Sequence, residues 1–174
     1  MPTDVEYGND GGQPGPSGRR SRVRWQRLYN PLVIRLLRSP LHGMMSKSTM
    51  LITYEGRRTG NVYTLPVNYT RDGDDLLAVG SREHSWWMNL RGGARIRVLV
   101  RGRTYEGSAR AFEGAEARNG LLTVLRRVPA YRKHWKIEVS PDGQPIDPEA
   151  LTRLGRENVL VRLSGLVPAT GVSR

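Results

Sequence analysis

Five residues between two strand-like runs, Gly56-Arg57-Arg58-Thr59-Gly60, combine tight-turning glycines with two forked guanidinium donors and a hydroxyl. Such a turn can clamp a phosphate, because its backbone approaches a ligand closely while the arginines bind anionic oxygens in pairs. The same composition also suits a solvated basic hairpin. A second group follows a third strand-like run: Ser81-Arg82, then Ser85-Trp86-Trp87-Met88-Asn89-Leu90. Adjacent tryptophans beside an arginine and an amide can line a flat conjugated ring and hydrogen-bond its heteroatoms, or they can be core and cap residues of a short helix. A third group, Tyr131, His134 and Trp135 after Pro129, either closes over the same pocket or packs. His42, His84 and His134 lack metal-ligand spacing. No Gly-x-Ser-x-Gly, P-loop or Gly-x-Gly-x-x-Gly run is present, which counts against hydrolase and dinucleotide-fold readings.

The elements that must hold these groups read mainly as β. From Thr49 onward, short strand-like runs alternate with turn signals every 8 to 12 residues, the spacing of an antiparallel barrel or sandwich. Strands are predicted at Met50–Glu55, Asn61–Thr70, Leu76–Gly80, Arg95–Val100, Thr104–Phe112 and Asn158–Leu163. Asp72-Gly73 marks a hairpin turn. Helices are predicted at Ser85–Leu90, Glu113–Arg127 and Pro148–Leu154, with Ser140–Asp147 as a loop. Upstream, residues 1–18 are rich in glycine and proline and nearly free of apolar side chains, so they are expected to be disordered. Residues 19–48 carry Trp25, Leu28, Leu32 and Leu36 at helical spacing, with Asn30-Pro31 as a cap and first turn. The expected organisation is a tail at 1–18, a basic amphipathic helical segment at 19–48, a barrel domain at 49–166 and a tail at 167–174.

Charge narrows the partners. The 174 residues carry 28 Lys and Arg against 16 Asp and Glu, a formal net charge of +12, and only Lys47, Lys133 and Lys136 are lysine. No acidic residue occurs from Gly11 to Tyr54. An arginine-rich surface suits nucleic acid, anionic lipid, or a cofactor bearing phosphate and carboxylates. A GC-rich genome enriches arginine without selecting any partner. The absence of cysteine excludes disulfide and thiolate chemistry and gives no reason for an oxidising compartment. No apolar run approaches the roughly 20 residues of a membrane span, and the N-terminus does not read as a secretory signal. A cytoplasmic protein is expected, with the basic segment able to lie on the inner face of the cell membrane.

Taken in order, Leu51 to Gly60, Thr64-Leu65-Pro66-Val67, Arg71-Asp72-Gly73, Gly80-Ser81-Arg82, Trp86-Trp87-Met88-Asn89-Leu90 and the strand to Val100 resemble the deazaflavin-dependent nitroreductase family of actinobacteria. These are F420-dependent quinone and nitroimidazole reductases within the split β-barrel flavin-binding superfamily. The resemblance implies a mainly β, α+β fold with peripheral helices, a split β-barrel of FMN-binding type. It implies coenzyme F420 as cofactor, with FMN as the alternative, and hydride transfer to a small-molecule acceptor: a quinone, a nitro compound or an activated enone. By the same resemblance, Arg57, Arg58 and Thr59 hold the cofactor's phosphate and tail, and Thr64 and Pro66 line the deazaflavin. Ser81, Arg82, Trp86, Trp87 and Asn89 complete the cofactor site. Tyr131 and His134 face the substrate, and the proton that must also reach it comes from Tyr131, His134 or solvent. A homodimer is a family expectation; no specific nucleic-acid partner is expected. The different reading is a non-catalytic basic module that binds membrane or nucleic acid through Arg19–Arg38. Tyr63 stands where the family commonly has an arginine or similar polar residue, the loop from Ser81 to Trp86 is short, and the connection from Lys136 to Glu157 is long.

Overall fold

The computed structural model describes residues 34, 35, 37, 39, 46–147 and 149–170. Six antiparallel strands carry the fold: β1 (Thr49–Glu55), β2 (Val62–Asp72), β3 (Asp75–Ser81), β4 (Ala94–Val100), β5 (Arg103–Phe112) and β6 (Asn158–Pro168). They close in the order β1-β2-β3-β6-β5-β4, with β4 returning to β1. The described residues also form three α-helices, α1 (Arg118–Arg127), α2 (Pro129–Trp135) and α3 (Ala150–Glu157), and two 3-10 turns at Trp86–Leu90 and Gly114–Ala117. None of these helices is long and apolar enough to cross a membrane.

Period-two alternation sorts the strand residues. Met50, Ile52 and Tyr54 of β1, Ile96, Val98 and Val100 of β4, and Val159, Val161 and Leu163 of β6 point inward and share one buried core. Each such side chain contributes roughly 1.5–3 kcal/mol on burial. A second core forms outside the barrel, where Leu77 of β3 and Leu160 of β6 meet Leu121, Val124 and Leu125 of α1 and Leu151 and Leu154 of α3. The helices thus cover the β3–β6 face and leave the turns at the ends of β1 and β3 accessible.

The barrel is split at β2. Its first half, Val62–Asn68, pairs with β1, whereas pairing with β3 covers only Tyr69–Asp72 against Asp75–Ala78. Among the described residues no strand flanks the other side of Val62–Asn68. Pro66 lies in that free half, where its missing N–H disturbs no ladder, and Leu65 and Val67 remain only partly buried. The Asp-Gly hairpin forms as expected, with Gly73 at φ +63°. Arg162 of β6 fastens its base, 2.8 Å from Asp75 and 3.1 Å from Asp72.

Several elements differ from expectation. The helix predicted over Glu113–Arg127 divides, because Gly114 at φ +57° turns the chain into a 3-10 segment before α1 begins. A further helix, α2, starts at Pro129 and ends at Lys136, which adopts a left-handed cap at φ 52°. Helix α3 runs Ala150–Glu157 instead of Pro148–Leu154. Strand β6 continues past Gly165 to Pro168 by pairing with Tyr105 and Glu106 beyond a bulge, so the predicted tail at 167–174 begins inside a strand. The predicted tail at 1–18 and most of the segment at 19–48 lie outside the described residues. Within that segment Ile34, Arg35 and Leu37 are helical, and Leu37 is buried against Leu51, with Ile34 and Leu99 beside it.

Candidate functional site

The basic turn closes on itself through a hydrogen bond from the Gly60 N–H to the Gly56 carbonyl at 2.8 Å. It is held from outside by the Trp86–Leu90 turn. The Arg57 N–H donates to Asn89 Oδ1 at 3.2 Å, the Arg57 guanidinium donates to the Arg91 carbonyl, and Asn89 Nδ2 donates to the Trp86 carbonyl at 3.2 Å. Arg58 is exposed and has no partner among the described residues. The Thr59 hydroxyl accepts the Asn61 N–H at 3.3 Å. Thr64 lies next to Thr53 across the β1–β2 ladder, their hydroxyls 2.9 Å apart.

Three residues per turn explain how the tryptophan motif divides its faces. Trp87 and Leu90, three apart, are buried in the barrel core, and the Trp87 indole donates to the Ser81 carbonyl at 3.2 Å. Trp86 and Asn89, also three apart, share another face and remain partly accessible. The Trp86 ring rests on Gly80, where a Cβ would come within 3.2 Å of its Cζ2. Of the two indoles, Trp86 is therefore the more accessible, while Trp87 packs in the core.

Ser81 organises the short loop after β3. Its carbonyl accepts the His84 N–H at 3.1 Å as well as the Trp87 indole, and its hydroxyl accepts the Glu83 N–H at 3.3 Å. Ser81 and Arg82 also line a cleft of about 620 Å³ together with His134, Trp135, Lys136 and residues of α3. Its floor is apolar, with Ile137, Ala150 and Leu154 buried beneath. Tyr131 is not among the lining residues. It lies against the second core, with its ring centroid 4.6 Å from that of Trp135.

One carboxylate joins the two regions. Glu113, at the end of β5, accepts from Arg91 Nε at 2.8 Å and Nη2 at 3.1 Å and lies 3.3 Å from Arg82 Nη2. Hydrogen bonds from Arg91, reinforced by the positive charges of Arg91 and Arg82, hold Glu113 below the usual carboxylate range despite partial burial. The Arg91 guanidinium also stacks over Trp87, 4.8 Å from its ring centroid. Sequence reasoning missed Glu113; the only signal was an acidic residue at a strand end in a strongly basic chain.

Residues 33–139 match the family model described as F420H(2)-dependent quinone reductase. The chain belongs to that family. The matched segment contains the basic turn, the tryptophan turn, Glu113, Tyr131 and His134, while α3, with the cleft residues Ala150 and Leu154, and β6 lie beyond it. No curated protein sequence matches the chain. Among solved structures, one titled a domain-swapped dimer is 16% identical, covering 82% of this chain and 99% of its own, at a TM-score of 0.49. An F420-H2-dependent reductase, FDR-A, is 16% identical over 68% of this chain and 95% of its own, at 0.48. A putative pyridoxamine 5'-phosphate oxidase from Listeria innocua is 13% identical over 80% and 99%, at 0.46.

As an F420H2-dependent quinone reductase family member, the chain is an oxidoreductase, and its donor set is chemically suited to a phosphorylated, carboxylate-tailed deazaflavin. Arg58 offers an exposed guanidinium to anionic oxygens, and Gly80, lacking a Cβ, lets the Trp86 indole approach β3 closely. No group of three or more His, Asp or Glu side chains able to hold a metal occurs among the described residues.

Proposed function

We propose that the protein is an F420-dependent reductase that passes hydride to a quinone, a nitro compound or an activated enone bound in the cleft beside Ser81 and Arg82. The observation that carries this reading is the double attachment of Arg82. It lines the cleft with His134 and Trp135, and through Glu113 and Arg91 it connects to the turn that presents Arg57, Arg58 and Thr59. When bound, the reduced deazaflavin supplies the hydride. Arg57, Arg58 and Thr59 would hold its phosphate and tail, and Thr64, Pro66, Trp86, Trp87 and Asn89 would complete its site. Trp135 gives the acceptor an aromatic wall, Ser81 and Arg82 donate to its oxygens, and the apolar floor excludes water. His134 delivers the proton, and Tyr131 positions Trp135 beneath it.

Fluorescence titration with F420 and, separately, with FMN tests the cofactor. F420 is expected to saturate the protein, and Arg58→Ala to weaken it about tenfold or more, the loss expected for one charge-assisted hydrogen bond. Arg58 is the cleaner target, because Arg57 also holds the Arg91 carbonyl. Preference for FMN would move the cofactor assignment, and failure of reduced F420 to be oxidised in the presence of menadione or a nitroimidazole would sink the reductase reading.

A further inference from the structure

We infer that Glu113 is a positioning residue for anion recognition: it fixes the Arg82 guanidinium at the junction of cofactor turn and cleft, so that removing this negative charge weakens anion binding. The inference rests on the anionic-cofactor reading proposed above. Arg82 and Arg91 both reach Glu113, and like charges at close range repel. Glu113 is the carboxylate between them. Its pairing with Arg91 is two-pronged, at 2.8 and 3.1 Å, which leaves Arg91 committed to the scaffold. Arg82 receives a single contact at 3.3 Å, so its remaining donors stay available to the cleft it lines.

Glu113 is itself held rigidly. It directly follows Phe112, the last residue of β5, and Gly114 immediately turns the chain. Gly155 of α3 presses on that corner so closely that a Cβ there would lie 2.6 Å from the Gly114 carbonyl oxygen. A carboxylate fixed by a strand end and a packed helix gives Arg82 a defined orientation before any ligand arrives, and pre-ordering a long side chain lowers the entropy lost on binding. Simple charge counting predicts the opposite result, since Glu113 adds negative charge beside an anion site. The sign of the effect therefore distinguishes the two accounts.

The test measures the affinity of the full-length protein for F420 by fluorescence and for inorganic pyrophosphate by calorimetry. Wild type is compared with Glu113→Gln, Glu113→Asp and the control Glu106→Gln, which removes the same charge from the outward Arg97–Glu106 pair. Glu113→Gln is expected to weaken both ligands about fivefold to tenfold, equivalent to one modest hydrogen bond. Glu113→Asp should recover part of that loss, and Glu106→Gln should leave affinity equal or slightly tighter. Equal or tighter binding by Glu113→Gln overturns the inference, as does a loss that Asp does not rescue and that a lowered melting temperature accompanies. If wild type binds pyrophosphate but not F420, the cofactor reading fails and the pyrophosphate series alone decides the role of Glu113. Binding of neither overturns both.

Discussion

The Asn89 side chain accepts the backbone N–H of Arg57 across 32 positions of sequence. That bond joins the basic turn to the tryptophan turn, and the same amide donates back to the Trp86 carbonyl. One side chain therefore sets the spacing between the arginines that would take a phosphate and the indole that would cover a ring. Tyr54, buried in the barrel, is the core residue whose hydroxyl Asn89 influences, tempering the rise in pKa that burial causes.

Replacing Asn89 with alanine should separate the two turns. The Arg57 N–H is exposed enough to bond water, so the stability loss is expected to be small, about 1 kcal/mol. Cofactor affinity should fall more, about tenfold, because the arginines lose their fixed distance from Trp86. Urea denaturation and F420 titration of the same preparation check this together. A variant that loses stability while retaining affinity would remove Asn89 from the site.

Tyr54 and Tyr63 stack with ring centroids 5.8 Å apart, yet their hydroxyls lie in opposite environments. Burial pushes Tyr54 above its ordinary value of 10.0. Hydrogen bonds with the Thr59 and Asn61 side chains favour the Tyr63 phenolate and lower its pKa. An ultraviolet pH titration should show an early tyrosine step absent from Tyr63→Phe and a late one absent from Tyr54→Phe. For stability the sign follows from Tyr54: its contribution is intact below the ordinary value and is lost as the pH rises through the raised folded value. A single shared step would contradict the opposed environments. The lowered pKa of Tyr63 gives this chain a group that gains negative charge in alkali beside the basic turn.

Much of this arrangement is legible in the sequence because local signals determine it. Strand-like runs bounded by turn signals located the six strands, Asp72-Gly73 placed a hairpin, and Gly56 to Gly60 announced a turn with donors. The remainder depends on contacts between distant residues. Trp86 and Trp87 are equivalent as adjacent letters, and only the three-residue period of their turn buries one and spares the other. Read from sequence, the last strand ends at Leu163, but pairing with β5 carries β6 on to Pro168. Glu113 carries no motif, and its meaning arises when Arg82 and Arg91 converge on it. The cleft likewise draws on α3, whose placement depends on two glycines meeting.

That meeting yields a stability prediction whose sign opposes helix propensity. Gly155 is an interior residue of α3, where alanine is ordinarily preferred by about 1 kcal/mol. Here a Cβ would lie 2.6 Å from the Gly114 carbonyl oxygen and 3.2 Å from its carbon. Those atoms are backbone at the corner after β5 and cannot rotate aside, so α3 or the corner must shift. Gly155→Ala is therefore expected to destabilise the fold by about 1–3 kcal/mol, the usual range for overpacking. Because Leu154 and Glu157 on the same helix line the cleft, the shift should also reach Arg82, whose backbone N–H donates to the Glu157 carbonyl at 3.0 Å. Thermal melting of Gly155→Ala beside Gly73→Ala separates this steric cause from backbone conformation. Gly73 has open space around it but a positive φ of +63°, so its loss should come from strain in the turn and leave F420 and pyrophosphate affinities unchanged. A Gly155→Ala protein more stable than wild type would show that the corner yields freely, and α3 would then not be the rigid support that Glu113 and Arg82 require.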